Sequence, residues 1–248
     1  MYKEPRLLPA GDSALVVEFG NEIDPEINAR VRSLTAALEA ESLAGLIELV
    51  PTYRSVLLHF DPLIVQVDVL KQQLQELIAN LGQLELPAPD VTFVPVCYGG
   101  EYGPDLNYVS QHTKLTVEEV IKLHTSTNYL IYMLGFTPGF TYLGGMDERL
   151  ETPRLKTPRT HIPAGATGIA AKQTGIYPID SPGGWQLIGR TPLKLYDPYS
   201  DPPVLLKAGN YVRFEAISPE EYKEIRKQVE AGSYQVKREQ LSTGGEAK

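Results

Sequence analysis

Basic residues that could bind an anion lie in one proline-rich stretch, residues 151–168 (ETPRLKTPRTHIPAGATG). Arg154, Lys156 and Arg159 fall between prolines that restrict the backbone, and this restriction lowers the entropy lost when a loop grips a ligand. Arginine binds a carboxylate or a phosphate through two parallel hydrogen bonds. The stretch therefore predicts an anion site, with a solvated run of surface charge as the alternative interpretation.

Glycine-rich turns flank the basic stretch. GFTPGFTYLGG (135–145) places aromatic rings among glycines, and SPGG (181–184) is followed at once by Trp185. Such turns predict either a small pocket with exposed backbone amides or a barrel corner filled by core aromatics. The residues predicted to bind the anion or substrate are Arg154, Arg159, Gln173, Gly183, Gly184 and Arg190, and Arg159→Lys is expected to be poorly tolerated. The residues predicted to line the pocket are Phe136, Pro138, Phe140, Tyr142, His161 and Trp185.

Charge is unevenly distributed along the chain. Residues 149–194 carry seven Lys/Arg against two Asp/Glu, whereas the rest carries 16 Lys/Arg against 29 Asp/Glu, within a formal net charge of −8. Nucleic acids and anionic membranes require a broad basic face, so neither is predicted as a partner. The local excess of cations instead favours a small anionic substrate bound in this segment.

Common catalytic and cofactor motifs are missing from the sequence. It contains no G-x-x-x-x-G-K-[ST] phosphate loop, no G-x-G-x-x-G after a strand and no G-x-S-x-G elbow. The four histidines, at positions 59, 112, 124 and 161, lack the spacing of metal ligands, so no metal site is predicted. Cys97 sits in a predicted strand and is interpreted as a buried structural thiol. The catalytic residues stay unknown at this point.

The sequence also predicts where the protein works. Its single cysteine excludes an internal disulfide, no apolar run approaches the roughly 18 residues of a membrane span, and the N-terminus does not resemble a signal peptide. These features predict a cytoplasmic protein without a transmembrane helix.

Residues 1–88 predict an N-terminal α/β domain, so the fold class is α+β. Strands are expected at 13–19, 46–50 and 55–60 and at Leu84–Leu86, with one helix after an Asp24 N-cap and a second helix ending near Leu81. The order β-α-β-β-α-β is typical of a ferredoxin-like unit. The proline-rich PAPD, 87–90, is a plausible linker.

Residues 89–240 predict a second, strand-rich domain, and residues 241–248 a flexible tail. Many short strands separated by Gly and Pro are typical of a barrel or sandwich. Strands are expected at 91–98, 128–136 and 210–217, and short helices near 105–112 and 117–124. Capping boxes, formed by Thr116 with Glu119 and by Ser218 with Glu221, predict the starts of two helices.

The basic stretch and the two glycine-rich turns that flank it belong to one long run, residues 135–198, GFTPGFTYLGGMDERLETPRLKTPRTHIPAGATGIAAKQTGIYPIDSPGGWQLIGRTPLKLYDP. This run resembles the signature of the family that contains the B subunit of 5-oxoprolinase. CYGGEYGPDL (97–106) and LLPAGDSALVVEFG (7–20) fit the same family, so the resemblance covers nearly the whole chain. The family also includes Kip-type inhibitors of a sporulation histidine kinase, proteins labelled allophanate hydrolase subunit 1, and the matching carboxyltransferase subdomains of urea carboxylase.

The resemblance implies a small N-terminal α/β domain followed by a cyclophilin-like β-barrel. It implies two partners, a KipA-like protein (the C subunit) and the A subunit, which together with this chain open 5-oxoproline to L-glutamate using ATP, with Mg as its usual companion. The isolated chain is expected to be inactive and to hold no tightly bound cofactor. The alternatives are a histidine-kinase inhibitor and a subunit that acts on an allophanate- or urea-type amide.

Overall fold

The computed structural model describes residues 1–81 and 88–241, and it divides into two compact units, Met1–Pro87 and Ala88–Lys248. The predicted domains, 1–88 and 89–240, would each be expected to fold independently, and that division stays a prediction. Of the predicted tail, 241–248, all but the first residue lies outside the described part of the chain.

In the first unit, two helices and an antiparallel four-stranded sheet share one apolar core. Its elements are β1 (Arg6–Pro9), β2 (Ala14–Glu18), α1 (Pro25–Glu41), β3 (Leu46–Pro51), β4 (Ser55–Phe60) and α2 (Val67–Asn80), and the sheet order is β1-β2-β4-β3. The carboxylate of Asp24 accepts hydrogen bonds from the backbone N–H groups of Glu26 and Ile27, which confirms the predicted N-cap of α1. Leu34 of α1 and Leu74 of α2 are fully buried in the common core.

The ferredoxin-like order predicted for this unit is not established by the described residues. Strand β1, which the sequence analysis did not predict, pairs with β2 at the edge of the sheet. Its residues are mostly exposed, so no alternation of apolar and polar residues marks it in the sequence. The strand predicted at Leu84–Leu86 lies outside the described residues.

The second unit is built on a sheet that curls into a nearly closed β-barrel. Its elements are β5 (Asp90–Tyr98), α3 (Leu106–Thr113), α4 (Val117–Thr125), β6 (Asn128–Leu134), β7 (Thr141–Gly144), a 3-10 turn (Glu148–Leu150), β8 (Arg159–Ile162), β9 (Ala166–Ala170), β10 (Gln173–Ile176), β11 (Ser181–Gly183), β12 (Gln186–Arg190), β13 (Tyr211–Ile217), α5 (Pro219–Glu230) and β14 (Arg238–Gln240). The strand order is β10-β9-β12-β5-β13-β6-β7, with β14 also paired to β5. The end strands β7 and β10 lie against each other, and we call this junction the seam.

Local sequence signals correctly predicted the helices α3, α4 and α5 and the longer strands β5, β6 and β13. Both predicted capping boxes are formed, at the starts of α4 and α5, with reciprocal hydrogen bonds between the side chains and the backbone. Cys97 is buried in β5, as predicted for a structural thiol. The interpretation of residues 151–168 as a loop is partly wrong, because this stretch contains β8 and the start of β9. Strand β8 pairs with β11 in a separate two-stranded ribbon.

Candidate functional site

A cavity of about 210 Å³ lies near the seam of the second unit. Four stretches of chain line it: β7 with the turn before it, the segment before β8, β10 with the residues that follow it, and β11 with the turn that leads to β12. The lining residues are Phe136, Phe140, Tyr142, Arg154, Gln173, Tyr177, Pro182, Gly183, Gly184 and Trp185. Eight of the twelve residues that the sequence predicted for the site therefore meet here.

Aromatic rings form the apolar wall of the cavity, with Phe140 at their centre. The ring of Phe140 stands edge-on to Phe136, Tyr142, Tyr177 and Trp185, at centroid separations of 5.5, 5.3, 5.8 and 5.7 Å. Edge-to-face pairs of this kind stabilise a cluster beyond simple apolar burial. Because Phe140, Tyr177 and Trp185 are buried, this part of the wall is preformed.

Phe136 stands at the rim of the cavity in a strained turn. Its φ is 66°, and the N–H of Thr137 donates to the carbonyl of Gly135 at 2.7 Å, which closes a three-residue turn around Phe136. Residues other than glycine rarely adopt a positive φ, because this backbone conformation is strained. Such strain persists where the surrounding structure requires it. The ring is 66% exposed, so burial of apolar surface does not explain this conformation.

Arg154 is the one cation that lines the cavity within residues 1–81 and 88–241. Its side chain is exposed and makes no hydrogen bond or ion pair with another described residue. The lining, over the same residues, includes no Asp or Glu, so no carboxylate competes for this guanidinium. Gln173 adds an uncharged amide at the seam. The cavity thus combines an apolar wall, one available positive charge and one amide.

Gly183 is required by the packing of Tyr177. A Cβ at Gly183 would collide with the Tyr177 hydroxyl, which also hydrogen-bonds to the backbone of Trp185. Burial raises the pKa of Tyr177 to about 12, against smaller lowering contributions from Arg154 and from that backbone hydrogen bond. The hydroxyl is therefore neutral near neutral pH. Whether the Gly183–Gly184 turn donates its N–H groups to an anion stays a prediction.

Arg159 lies outside the cavity lining and is already engaged by other groups. Its Nη2 is 2.8 Å from Oδ1 of Asp105, and its Nη1 donates to the carbonyl of Trp185 at 3.2 Å. The other carboxylate oxygen of Asp105 accepts the N–H of Leu187 at 2.6 Å. This arrangement, which we call the strut, ties the segment before α3 to β12. The interpretation of Arg159 as a ligand-binding residue stays a prediction, now with a structural alternative.

Three other predicted residues are also outside the lining. Arg190 donates from Nε to the carbonyl of Ala164 at 2.9 Å, which holds the turn between β8 and β9. His161 is exposed on β8, and Pro138 is exposed in the turn before β7. Their predicted roles at the site stay predictions.

The local excess of positive charge is smaller in space than along the sequence. Of the seven basic residues in 149–194, four pair with carboxylates: Arg149 with Asp147, Arg159 with Asp105, Lys172 with Glu148 and Glu151, and Lys194 with Asp197. Most of these carboxylates belong to residues before or after the segment. A count along the chain therefore overstated the number of cations available to a ligand.

A buried histidine, His124, forms a hydrogen-bonded relay that the sequence did not predict. Thr174 donates its hydroxyl hydrogen to the carbonyl of Gly168, so it accepts the Nε2–H of His124 at 2.7 Å. Nδ1 of His124 then accepts the hydroxyl of Tyr98, also at 2.7 Å. Burial lowers the pKa of His124 to about 3, so the ring is neutral. The relay joins α4 to β10, next to Gln173.

Two lining residues, Tyr177 and Pro182, were missing from the predicted site. Tyr177 follows β10, in a region for which the sequence analysis predicted only short strands separated by Gly and Pro. Its position inside the long signature run was the one signal that could have drawn attention to it.

Within residues 1–81 and 88–241, no group of three or more His, Cys, Asp or Glu side chains could hold a metal ion. In the same part of the chain, none of the helices combines the length and apolar character needed to cross a bilayer.

Comparison with known proteins gives consistent similarities. The profile of the carboxyltransferase domain, subdomain C and D, matches residues 5–206. The chain is 43% identical over 222 residues to the B subunit of 5-oxoprolinase from Bacillus subtilis (strain 168), and the match covers 86% of this chain and 92% of the relative.

Two solved structures are also similar. The conserved uncharacterized protein PH0987 from Pyrococcus horikoshii is 47% identical, with a TM-score of 0.53, over 88% of this chain and 100% of that chain. The Kluyveromyces lactis urea carboxylase shares the fold at 23% identity, with a TM-score of 0.72 over 96% of this chain and 24% of that chain.

Proposed function

Because the chain belongs to the family of the carboxyltransferase domain, subdomains C and D, we propose that it is the B subunit of an ATP-dependent 5-oxoprolinase. In this proposal its barrel is of the cyclophilin-like type, and it acts with a KipA-like partner, the C subunit, and with the A subunit. The observation that carries the proposal is the 43% identity to a protein of that name across most of both chains.

The chemistry of the cavity supports this substrate. 5-Oxoproline is a flat, five-membered lactam that carries a single carboxylate. The guanidinium of Arg154 can grip that carboxylate through two hydrogen bonds. The rings around Phe140 offer apolar faces to the five-membered ring, and the Gln173 amide can exchange hydrogen bonds with the lactam group. Each part of the substrate thus has a counterpart in the lining.

In the proposed reaction, this chain binds and orients the lactam. A lactam is a poor electrophile, and phosphorylation of its oxygen by ATP would make the carbonyl carbon easier to attack by water. The aromatic wall would exclude bulk water from the bound ring until the site is complete. Over the described lining, no Asp, Glu, His, Ser or Cys side chain is placed to act as general base or nucleophile. We therefore assign proton transfer to the partner proteins.

The residues of the cavity do not fit ATP. A triphosphate is usually held by several cations, glycine-rich backbone amides or a magnesium ion with carboxylate ligands. The described lining offers one cation, a single pair of glycines at Gly183–Gly184 and no carboxylate, in a cavity of about 210 Å³. We place ATP binding outside this cavity, in the complex formed with the partners.

A related amide substrate is the second candidate. The family that the chain resembles also includes urea carboxylase and proteins labelled allophanate hydrolase subunit 1, so a small planar amide such as urea or allophanate is the alternative substrate. Urea lacks a carboxylate, so its binding would not depend on the charge of Arg154. Allophanate has one, so Arg154 would matter for it as it does for 5-oxoproline.

Co-expression with the candidate A and C subunits tests the proposal. The purified complex is expected to release glutamate from 5-oxoproline only when ATP is present, and this chain alone is expected to be inactive. Urea and allophanate serve as competing substrates in the same assay. A complex that turns over one of these, and leaves 5-oxoproline unchanged, would replace the proposed substrate.

A further inference from the structure

Arg154 sits in the middle of a backbone segment that is fixed on both sides. Thr152 exchanges two hydrogen bonds with Ala171, with N···O distances of 2.7 and 3.3 Å. The N–H of Leu155 donates to the carbonyl of Gly184 at 2.7 Å. The carbonyl of Pro153 accepts the side-chain Nε2 of Gln186 at 2.9 Å. The residues on both sides of Arg154, from 152 to 155, are therefore hydrogen-bonded to other parts of the barrel, and one of these partners, Gly184, lines the cavity.

Gln186 contributes to this fixation through its side chain, from β12. It is only 2% exposed, and a buried amide is destabilising unless it is hydrogen-bonded. An apolar residue of the same length would fill that space without this requirement. Its amide bonds the carbonyl immediately before Arg154, so it fixes the peptide unit from which the Arg154 side chain departs.

We propose that Gln186 is a positioning residue for Arg154: its buried amide orients the backbone so that the exposed guanidinium faces the cavity. This inference rests on the proposed function, in which Arg154 grips the substrate carboxylate. A long arginine side chain loses conformational entropy when it binds a ligand, and a flexible backbone would lose entropy as well. Fixing the peptide on both sides leaves only the side-chain torsions to be ordered.

Replacement of Gln186 by methionine removes the amide while keeping the length and unbranched shape of the side chain. Gln228→Met is the matched control, because Gln228 donates from Nε2 to Glu224 on the exposed face of α5, away from the lining. In the assembled complex, Gln186→Met is expected to raise KM for 5-oxoproline about five- to tenfold, the usual effect of one lost hydrogen bond, with kcat nearly unchanged. Gln228→Met is expected to change neither constant.

A double-mutant cycle separates positioning from a general loss of structure. In an Arg154→Ala background, Gln186→Met should have no further effect on KM, because the group that it orients is gone. Inhibition by 2-pyrrolidone, the lactam without a carboxylate, should be the same in wild type and Gln186→Met. If the two substitutions raise KM additively, or if 2-pyrrolidone inhibition weakens in parallel, Gln186 is only structural and the inference is overturned.

A ligand-free measurement keeps this inference separate from the proposed function. Amide hydrogen exchange at Leu155 is expected to be faster in Gln186→Met than in wild type or Gln228→Met, because the neighbouring segment has lost one of its ties. If the complex does not act on 5-oxoproline, the proposed function fails, and the exchange rate then decides the positioning role. Unchanged exchange at Leu155 would overturn it.

Discussion

Polar and charged groups of the second unit have different surroundings in two places. In the strut and the relay of the barrel they have hydrogen-bond partners, whereas at the rim of the cavity a cation is exposed to solvent. In the strut, Asp105 and Arg159 satisfy each other and nearby backbone groups, and in the relay both nitrogens of His124 have partners. At the rim, Arg154 has a fixed backbone and no partner for its guanidinium among the described residues.

A structural charge can therefore be distinguished from a charge that is available for binding by whether its hydrogen-bonding groups already have partners. A saturated group contributes to stability, because its removal leaves buried partners unsatisfied. An unsaturated cation in solvent contributes little to stability and keeps its hydrogen-bonding capacity for a ligand. Substitutions in the strut and relay should therefore change the free energy of unfolding, and substitutions at the rim should change affinity.

The largest effect is expected for Asp105→Ala. The substitution leaves the Arg159 guanidinium and the Leu187 N–H without their acceptor, which should lower the free energy of unfolding by about 2–4 kcal/mol. Urea denaturation of the purified chain measures the change. Asp147→Ala is the matched control, because Asp147 pairs with the largely exposed Arg149, and there a loss of no more than about 1 kcal/mol is expected. Equal losses in the two variants would contradict the distinction between the strut and the surface.

The relay predicts a dependence of stability on acid. Because burial lowers the pKa of His124 to about 3 from 6.5, the unfolded chain binds more protons than the folded chain between these two values. The contribution of the neutral His124 ring to the free energy of unfolding is fully present above pH 6.5 and is lost as the pH falls. This loss reaches about 3 kcal/mol by about pH 4.

His124→Gln isolates this effect, since glutamine does not titrate. Its free energy of unfolding should change less between neutral pH and about pH 4 than that of wild type, and His161→Gln, at an exposed position, should follow wild type. Denaturant melts across this pH range provide the measurement. Parallel curves for wild type and His124→Gln would show that the relay does not couple to acid.

At the rim, Arg154→Ala is expected to weaken binding without weakening the fold. Loss of a charge-assisted pair with the substrate carboxylate should cost about 1.5–3 kcal/mol of binding, which is roughly ten- to a hundredfold in KM for 5-oxoproline. The melting temperature should stay near that of wild type, because the side chain has no partner to lose among the described residues. Lys156→Ala, a substitution of an exposed cation outside the lining, is the control. A lower melting temperature with unchanged KM would remove Arg154 from the site.

The smallest effect is expected for Arg159→Lys. An ammonium can keep the ion pair with Asp105 but cannot also reach the carbonyl of Trp185 in the planar geometry of a guanidinium, so about 1 kcal/mol of stability should be lost. The specific activity of the folded complex should be unchanged. A large rise in KM with unchanged stability would instead support the prediction from the sequence that Arg159 binds the ligand.

Features that depend on neighbouring residues could be predicted from the sequence. The Asp24 cap and the two capping boxes fix helix starts through side chains within three residues of the backbone that they bond. The signature run, 135–198, identified the family, which the matched profile shows. The glycine-rich turns and Trp185 also marked the cavity region, because close packing and aromatic walls demand particular residue types.

Which of the basic residues is available to a ligand depends on contacts that form when the chain folds. Arg154 and Arg159 are five positions apart, in the same proline-rich stretch and with the same side chain. Asp105, far away along the chain, neutralises one and not the other, and no local pattern records that pairing. The His124 relay is likewise formed by residues from β5, α4 and β10. Long-range pairing between side chains depends on how strands are brought together, and a sequence shows such partners only after the fold has placed them.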